Sequence, residues 1–290
     1  MKKLSLLFLV ILFLGSSISA REQSVNTEQN YKIYVTAKDM EIFSDYISKF
    51  VDKQHLSLSE LIIETGKYFL GTPYVGHTLE IEPEGLVINL RELDCTTFLE
   101  NVYALSFTIK AGDPTFEKYL QNLKNIRYRE GVINNYANRL HYTTDWIHHN
   151  QLKGHLKDIT QQSGGKELPL NLFIMSTNHD RYKQLKGKPE LTAKIEAIEK
   201  EASKRTFYHI PRTEIENNRQ HFRNGDMVGF VTTAKGIDLS HVGIIYFNGD
   251  KLTFLHASSG EMKVVIEELT LQQYCARSKS NNGIMVARAL

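Results

Sequence analysis

The chain has 290 residues, with 35 basic and 33 acidic side chains and a hydrophobic share of 41%. That length allows one large domain or two small ones with an ample core. Without Lys2 and Lys3 the charges balance at 33 and 33, and no basic run stands out, which argues against a nucleic-acid partner or an anionic membrane surface.

Residues 1–20 have the pattern of a secretory signal peptide. Lys2 and Lys3 are the charged region, Leu4 to Leu14 the apolar run, and Ser16-Ser17-Ile18-Ser19-Ala20 the small residues for cleavage. The run is short for a bilayer span, and no cysteine follows it to carry a lipid. A mature periplasmic or secreted chain, 21–290, with no membrane anchor is expected. Residues 21–36 read as a loose polar leader. Helices are predicted over Asp39–Val51 and Ser57–Phe69; Ser57-Leu58-Ser59-Glu60 resembles a capping box, with Gly71 just past the end. Gly85–Leu90 alternates like a strand, and apolar residues at helical spacing (Phe98, Leu99, Val102, Leu105) follow Cys95 to about Lys110. Thr115–Leu123 reads as another helix. Residues 138–150 are rich in His, Tyr and Asn and poorly periodic. Leu168–Met175 is strand-like, and Leu191–Arg205 is a helix of alternating charge whose bland reading, a solvated face, is best. Short strands follow at Met227–Thr232, Val242–Phe247, Lys251–His256, Lys263–Ile266 and Ile284–Arg288, with a helix at Thr270–Ala276. Helices first and antiparallel sheet last make an α+β chain.

Two features carry chemistry. Asp94 is placed to cap the following helix, which sets Cys95 in its first turn. There the dipole and free N–H groups favour a thiolate and could hold an oxyanion. Far downstream, Ser240-His241-Val242-Gly243 reads as a strand carrying a histidine, the distant base that a cysteine nucleophile needs. Asn248-Gly249 is a strong hairpin signal. As the two turn residues they put His241 directly opposite His256, with Cβ atoms roughly 4.5–5.5 Å apart; a three-residue loop would put His256 opposite Val242 instead. The second imidazole would orient the first. Cys275 is expected to be buried and unpaired, since a bridge to Cys95 would remove the nucleophile. No CxxC or HExxH is present, and His148 and His149 point roughly 100° apart on a helix, so no metal and no cofactor is expected.

Gly71-Thr72-Pro73-Tyr74, Leu93-Asp94-Cys95, Ser240-His241-Val242-Gly243 and Leu255-His256-Ala257 together resemble the papain-like cell-wall peptidases of the NlpC type. More closely, the chain resembles the N-acetylmuramoyl-L-alanine amidase-like branch, through Arg139–Trp146, Asp158-Ile159-Thr160, Met175-Ser176-Thr177 and Asn224-Gly225-Asp226. The resemblance implies a papain-like core in a single domain, with the cysteine helix on an antiparallel sheet and residues of about 112–222 inserted to wall the cleft. It implies Cys95 as nucleophile, His241 as base and His256 as orienting partner. Tyr74, Asp94 and Thr96 would line the substrate site. Thr96 stands where many endopeptidases of this type carry serine, which puts recognition of a free L-Ala amine in doubt. His141, Asp145 and Trp146 form a polar–aromatic cluster fit for a sugar and its amides, or, equally, a core tryptophan and a helix cap. The implied activity is a monomeric cysteine amidase on peptidoglycan or muropeptides. A γ-D-glutamyl endopeptidase and an inactive glycan-binding module are the alternatives.

Overall fold

The computed structural model describes residues 31–290; the signal-peptide reading lies outside them. The expected loose leader is in part a strand. Lys32–Tyr34 (β1) pairs in parallel with Gly85–Val87 (β2). Thr36 and Asp39 form a capping box for α1 (Ala37–Phe50), and Ser57 and Glu60 do the same for α2 (Leu58–Tyr68). Asp94 caps α3 (Cys95–Lys110): its side chain accepts from the Thr97 amide, and the Thr97 hydroxyl accepts from the Asp94 amide.

Next come α4 (Phe116–Arg127), α5 (Thr143–Leu152), β3 (Leu156–Asp158), β4 (Lys166–Leu168), α6 (Ile174–Thr177), α7 (Pro189–Ser203) and β5 (Phe207–Pro211). The strand expected over Leu168–Met175 is therefore strand only at its first residue. Pro169 has no N–H to extend the ladder. Glu199 of α7, expected as part of a solvated face, is buried and accepts from the Met175 and Ser176 amides, which closes that segment as α6 instead.

The remaining elements are β6 (Met227–Thr232), β7 (Leu239–Asn248), β8 (Lys251–Ser258), β9 (Lys263–Ile266), α8 (Leu271–Arg277) and β10 (Asn281–Ala289). They build a twisted antiparallel sheet in the order β4-β5-β10-β6-β7-β8-β9, with β3 also on β10. One face packs on α3: Phe98, Leu99 and Val102 share a core with Val242, Ile244 and Leu255. On the other face Phe230, Ile245 and Phe254 pack with Leu271 and Cys275 of α8. Both cysteines are free. Among the described residues no helix is long and apolar enough to cross a membrane.

The β7–β8 hairpin forms, but its turn is Gly249-Asp250, with Asn248 facing Lys251. Gly249 has φ +61°, the left-handed conformation that the first central residue of a type II′ turn requires. This moves the register from the expected one. His241 is no longer opposite His256; Ile244 faces Leu255, so His256 comes level with Gly243. Facing pairs shift by two in their summed index, which keeps both imidazoles on one sheet face, now as diagonal neighbours.

Candidate active site

The diagonal arrangement works because residue 243 has no side chain. A Cβ there would lie 2.5 Å from Phe254 Cδ2 and 3.2 Å from the His256 Cβ. Into that space the two rings meet: His241 Nε2 is 2.7 Å from His256 Nδ1, with ring centroids 4.8 Å apart. A bulge helps to aim the first ring. Phe230 pairs with His241 and Val231 with Leu239, so Ser240 is an extra residue just before the histidine. Both rings lie on the α8 face, near Phe230, Phe254 and Tyr274. Nδ1 of His241 makes no hydrogen bond among the described residues.

Cys95 comes from the other side, at the first position of α3. It and His241 line one cleft of about 370 Å³. The Val242 amide and the hydroxyl and amide of Thr96 lie near enough to the sulfur to favour the thiolate. Burial and the Asp94 carboxylate outweigh them and push the thiol up to about 11. The thiolate expected from helix position alone is thus not the resting form, because desolvation exceeds what the helix start returns. Among the described residues no hydrogen bond joins the sulfur to His241, whose Nε2 is bound to His256 on the α8 face.

Tyr74 does not line this cleft, but its segment sets it near Cys95. Gly71, at φ +84°, and Thr72 bond to Val264 of β9, while Leu93 donates to Pro73, so residues 71–74 run alongside the chain entering α3. Burial, then the nearby Cys95 and Asp94, raises the tyrosine pKa. Thr96 and His141 line the same cleft. His141 Nε2 bonds the Tyr136 carbonyl at 2.8 Å. Asp94 spends one oxygen on the Thr97 cap.

Asp145 and Trp146 are corrections. Asp145 is 1% exposed and bound by Arg129 at 2.5 Å and Arg205 at 2.6 Å, so its oxygens serve an internal ion cluster. Trp146 is 2% exposed and packs near Tyr103 in the core; it offers no ring face to a sugar. α5 turns that side inward because its first turn is tied to the body of the protein. Asp238 accepts from the amide and hydroxyl of Thr144.

The cleft also holds residues that no motif marked: His77, Glu80, Tyr182 and Asp238. Glu80 is bound to Arg139, which also grips Glu84. These contacts join segments distant in sequence, so no spacing signals them. Gly243 had a signal, the glycine two residues after His241. Among the described residues no group of three His, Cys, Asp or Glu is arranged to hold a metal ion.

The imidazoles of this region are held neutral. Burial and the Arg139 charge bring His141 down to about 3. Burial and His256 bring His241 to about 3, and burial alone brings His256 to about 4. Below about pH 6.5 such a ring takes a proton in the unfolded chain and not in the folded one, so its contribution to stability is full above that pH and drains away as pH falls. We expect the gap in thermal midpoint between the parent and His141→Phe to narrow steadily from pH 7 to pH 4.5. A gap that stays constant would show that this imidazole is not held neutral.

A family model described as AmiA-like, N-acetylmuramoyl-L-alanine amidase-like, matches residues 64–284. A crystal structure of an N-acetylmuramoyl-L-alanine amidase from Bacteroides uniformis is 35% identical, covering 80% of this chain and 98% of its own, with a TM-score of 0.77. A Bacteroides fragilis structure bearing the name "putative xylanase" is 38% identical over 78% of this chain and 99% of its own, with a TM-score of 0.75. A Legionella pneumophila protein matched by the DUF1460 family model is 22% identical over 87% of this chain and 95% of its own, with a TM-score of 0.66, a likeness of fold alone. No curated protein matches.

Proposed function

Because the chain belongs to the N-acetylmuramoyl-L-alanine amidase-like family, we propose that it is a secreted cysteine hydrolase that cleaves the amide between N-acetylmuramic acid and L-alanine in peptidoglycan or its turnover fragments. One observation carries the mechanism. A cysteine at a helix start shares a cleft with His241, whose ring is tied to a second imidazole at 2.7 Å.

With the thiol neutral at rest, the sulfur needs a base at the moment of attack. His241 Nδ1 takes the thiol proton as Cys95 Sγ bonds to the lactyl carbonyl carbon. The contact between them closes when substrate fills the cleft, as catalytic hydrogen bonds in empty sites often do. The Cys95 amide makes no hydrogen bond among the described residues and, at the positive end of α3, suits the oxyanion. Collapse expels the L-alanine amine, which receives the proton from His241. Water, deprotonated by the same nitrogen, then hydrolyses the thioester.

Several features support this reading. The cysteine helix on an antiparallel sheet that bears the histidine suits a papain-like core of the NlpC type in one domain. Tyr136, His141, Met175 and Tyr182 line the cleft, which suits a reading of residues of about 112–222 as an insertion that walls it. Tyr74 and Thr96 flank the sulfur, and the leader read in residues 1–20 suits export. The xylanase name of one neighbour finds no support here. A glycosidase needs two working carboxylates. In this cleft Glu80 is bound to Arg139 and Asp238 to Thr144 and Leu239.

Digestion of muropeptides by the purified protein is expected to release stem peptides beginning with free L-Ala, together with peptide-free muramyl sugars, both visible by mass spectrometry. Disaccharide–L-Ala–D-Glu with a fragment beginning at the diamino acid would make it a γ-D-glutamyl endopeptidase. Binding with no cleavage would make it a glycan-binding module.

A further inference from the structure

His256 carries its own unfinished hydrogen bond. Its Nδ1 meets His241, but its Nε2 is buried with no hydrogen-bond partner. That nitrogen lies 3.4 Å from Glu267 Oε2, in a contact whose two side chains are 1% and 12% exposed. The carboxylate is not adrift: Glu267 Oε1 accepts from the Leu269 amide at 3.0 Å. Sheet geometry brings it there. His256 faces Val265 across β8 and β9, and the Glu267 amide donates to the Phe254 carbonyl. Glu267 is therefore a diagonal neighbour of His256, as His256 is of His241, and the three side chains form one slanted row across the sheet.

We propose that Glu267 is a positioning residue for the imidazole pair: its carboxylate sets the tautomer of His256 and so keeps His241 Nδ1 unprotonated. The inference rests on the Cys95–His241 reading above. Two neutral imidazoles sharing one hydrogen bond have two arrangements, since one ring must donate and the other accept. In the first, His241 Nε2–H donates to His256 Nδ1. Then His241 Nδ1 is a lone pair, able to take the thiol proton, and His256 carries its hydrogen on Nε2, facing Glu267. In the second, His256 Nδ1–H donates to His241 Nε2. Then His241 Nδ1 bears the hydrogen and cannot act as a base, while the bare lone pair of His256 Nε2 faces a carboxylate. The anion at 3.4 Å penalises the second arrangement and favours the first. It also favours the positive charge that appears on the pair when the thiol proton moves, and no further proton transfer is required. The other groups facing the pair do not compete for this part. Tyr274 of α8, 5.5 Å from His256 between centroids, is kept protonated by burial and by Glu267 itself. Phe230 and Phe254 are apolar, and Cys95 shares the cleft with His241.

The test reads tautomers directly, from imidazole nitrogen chemical shifts at neutral pH in the parent and in Glu267→Gln. The parent is expected to carry its hydrogen on Nε2 in both rings. Glu267→Gln, whose amide can donate as well as accept, is expected to give a mixture in which His241 is partly protonated on Nδ1. With it, kcat should fall roughly 10- to 100-fold while KM and the unfolding midpoint stay near the parent's. Finding His241 protonated on Nδ1 in the parent overturns the proposal, and that measurement stands even if the variant fails to fold. A turnover loss with unchanged tautomers overturns it as well. A parent with the stated tautomers but no amidase activity would instead sink the function and leave the positioning role intact.

Discussion

Cys95→Ala is expected to lower hydrolysis by roughly 10³- to 10⁶-fold and to leave the protein folded. On the proposed mechanism the loss is large, because attack, oxyanion and thioester all pass through this sulfur and no neighbouring group replaces it. Thr96 presents a hydroxyl, but its pKa is far too high for the role. Cys95→Ser should fail almost as fully, since a serine hydroxyl at the same place is harder to deprotonate than the thiol. Folding is spared because the helix start does not depend on the thiol: Asp94 and Thr97 close the capping box through their own side chains and amides. The unfolding midpoint is the control. Iodoacetamide should label Cys95 before Cys275, which is fully buried against the sheet. Turnover near the parent's in Cys95→Ala would remove the whole mechanism.

The largest expected loss of stability comes from Arg127→Met. Arg127 ends α4 and Glu100 sits on α3, five residues after Cys95. Their side chains are each 2% exposed and bonded Nε to Oε2 at 2.6 Å, and Arg127 Nη1 also donates to the Val87 carbonyl of β2 at 2.7 Å. The pair thus ties α3 to α4 and to the small sheet. Burial already raises the Glu100 carboxyl above its ordinary range, and the Arg127 charge is what chiefly opposes that rise. Without the guanidinium, a buried carboxylate must stay unpaired or take a proton. Either course costs about 3–5 kcal/mol, a drop of roughly 10 °C in unfolding midpoint for a chain of this size. Arg127→Met with Glu100→Leu should recover most of it, because two apolar side chains need no partners. A double variant as unstable as the single one would show that the cost is one of packing rather than of stranded charge.

Signals confined to a few residues were legible in the chain. The Ser57–Glu60 capping box, the Asp94 cap before Cys95, the end of α2 shortly before Gly71 and the strand pattern after Gly225 each express hydrogen bonding or alternation that a short segment settles for itself. The histidine pair was legible as a shared sheet face, since side chains alternate with a period of two, although the turn was misplaced by one residue. Only the tertiary structure decided which members of the polar–aromatic cluster line the cleft and which belong to the core. Trp146 and Asp145 read equally well either way, and the choice was made by Asp238 on the amide of Thr144 and by Arg129 and Arg205 on Asp145. In the same way Glu199 made a helix of what read as a strand, and Glu267 came to stand behind His256 by a diagonal step between strands. A backbone hydrogen bond within one turn depends on residues that the chain already holds close. The partner of a buried carboxylate depends on how distant segments dock, and a local pattern carries no record of that.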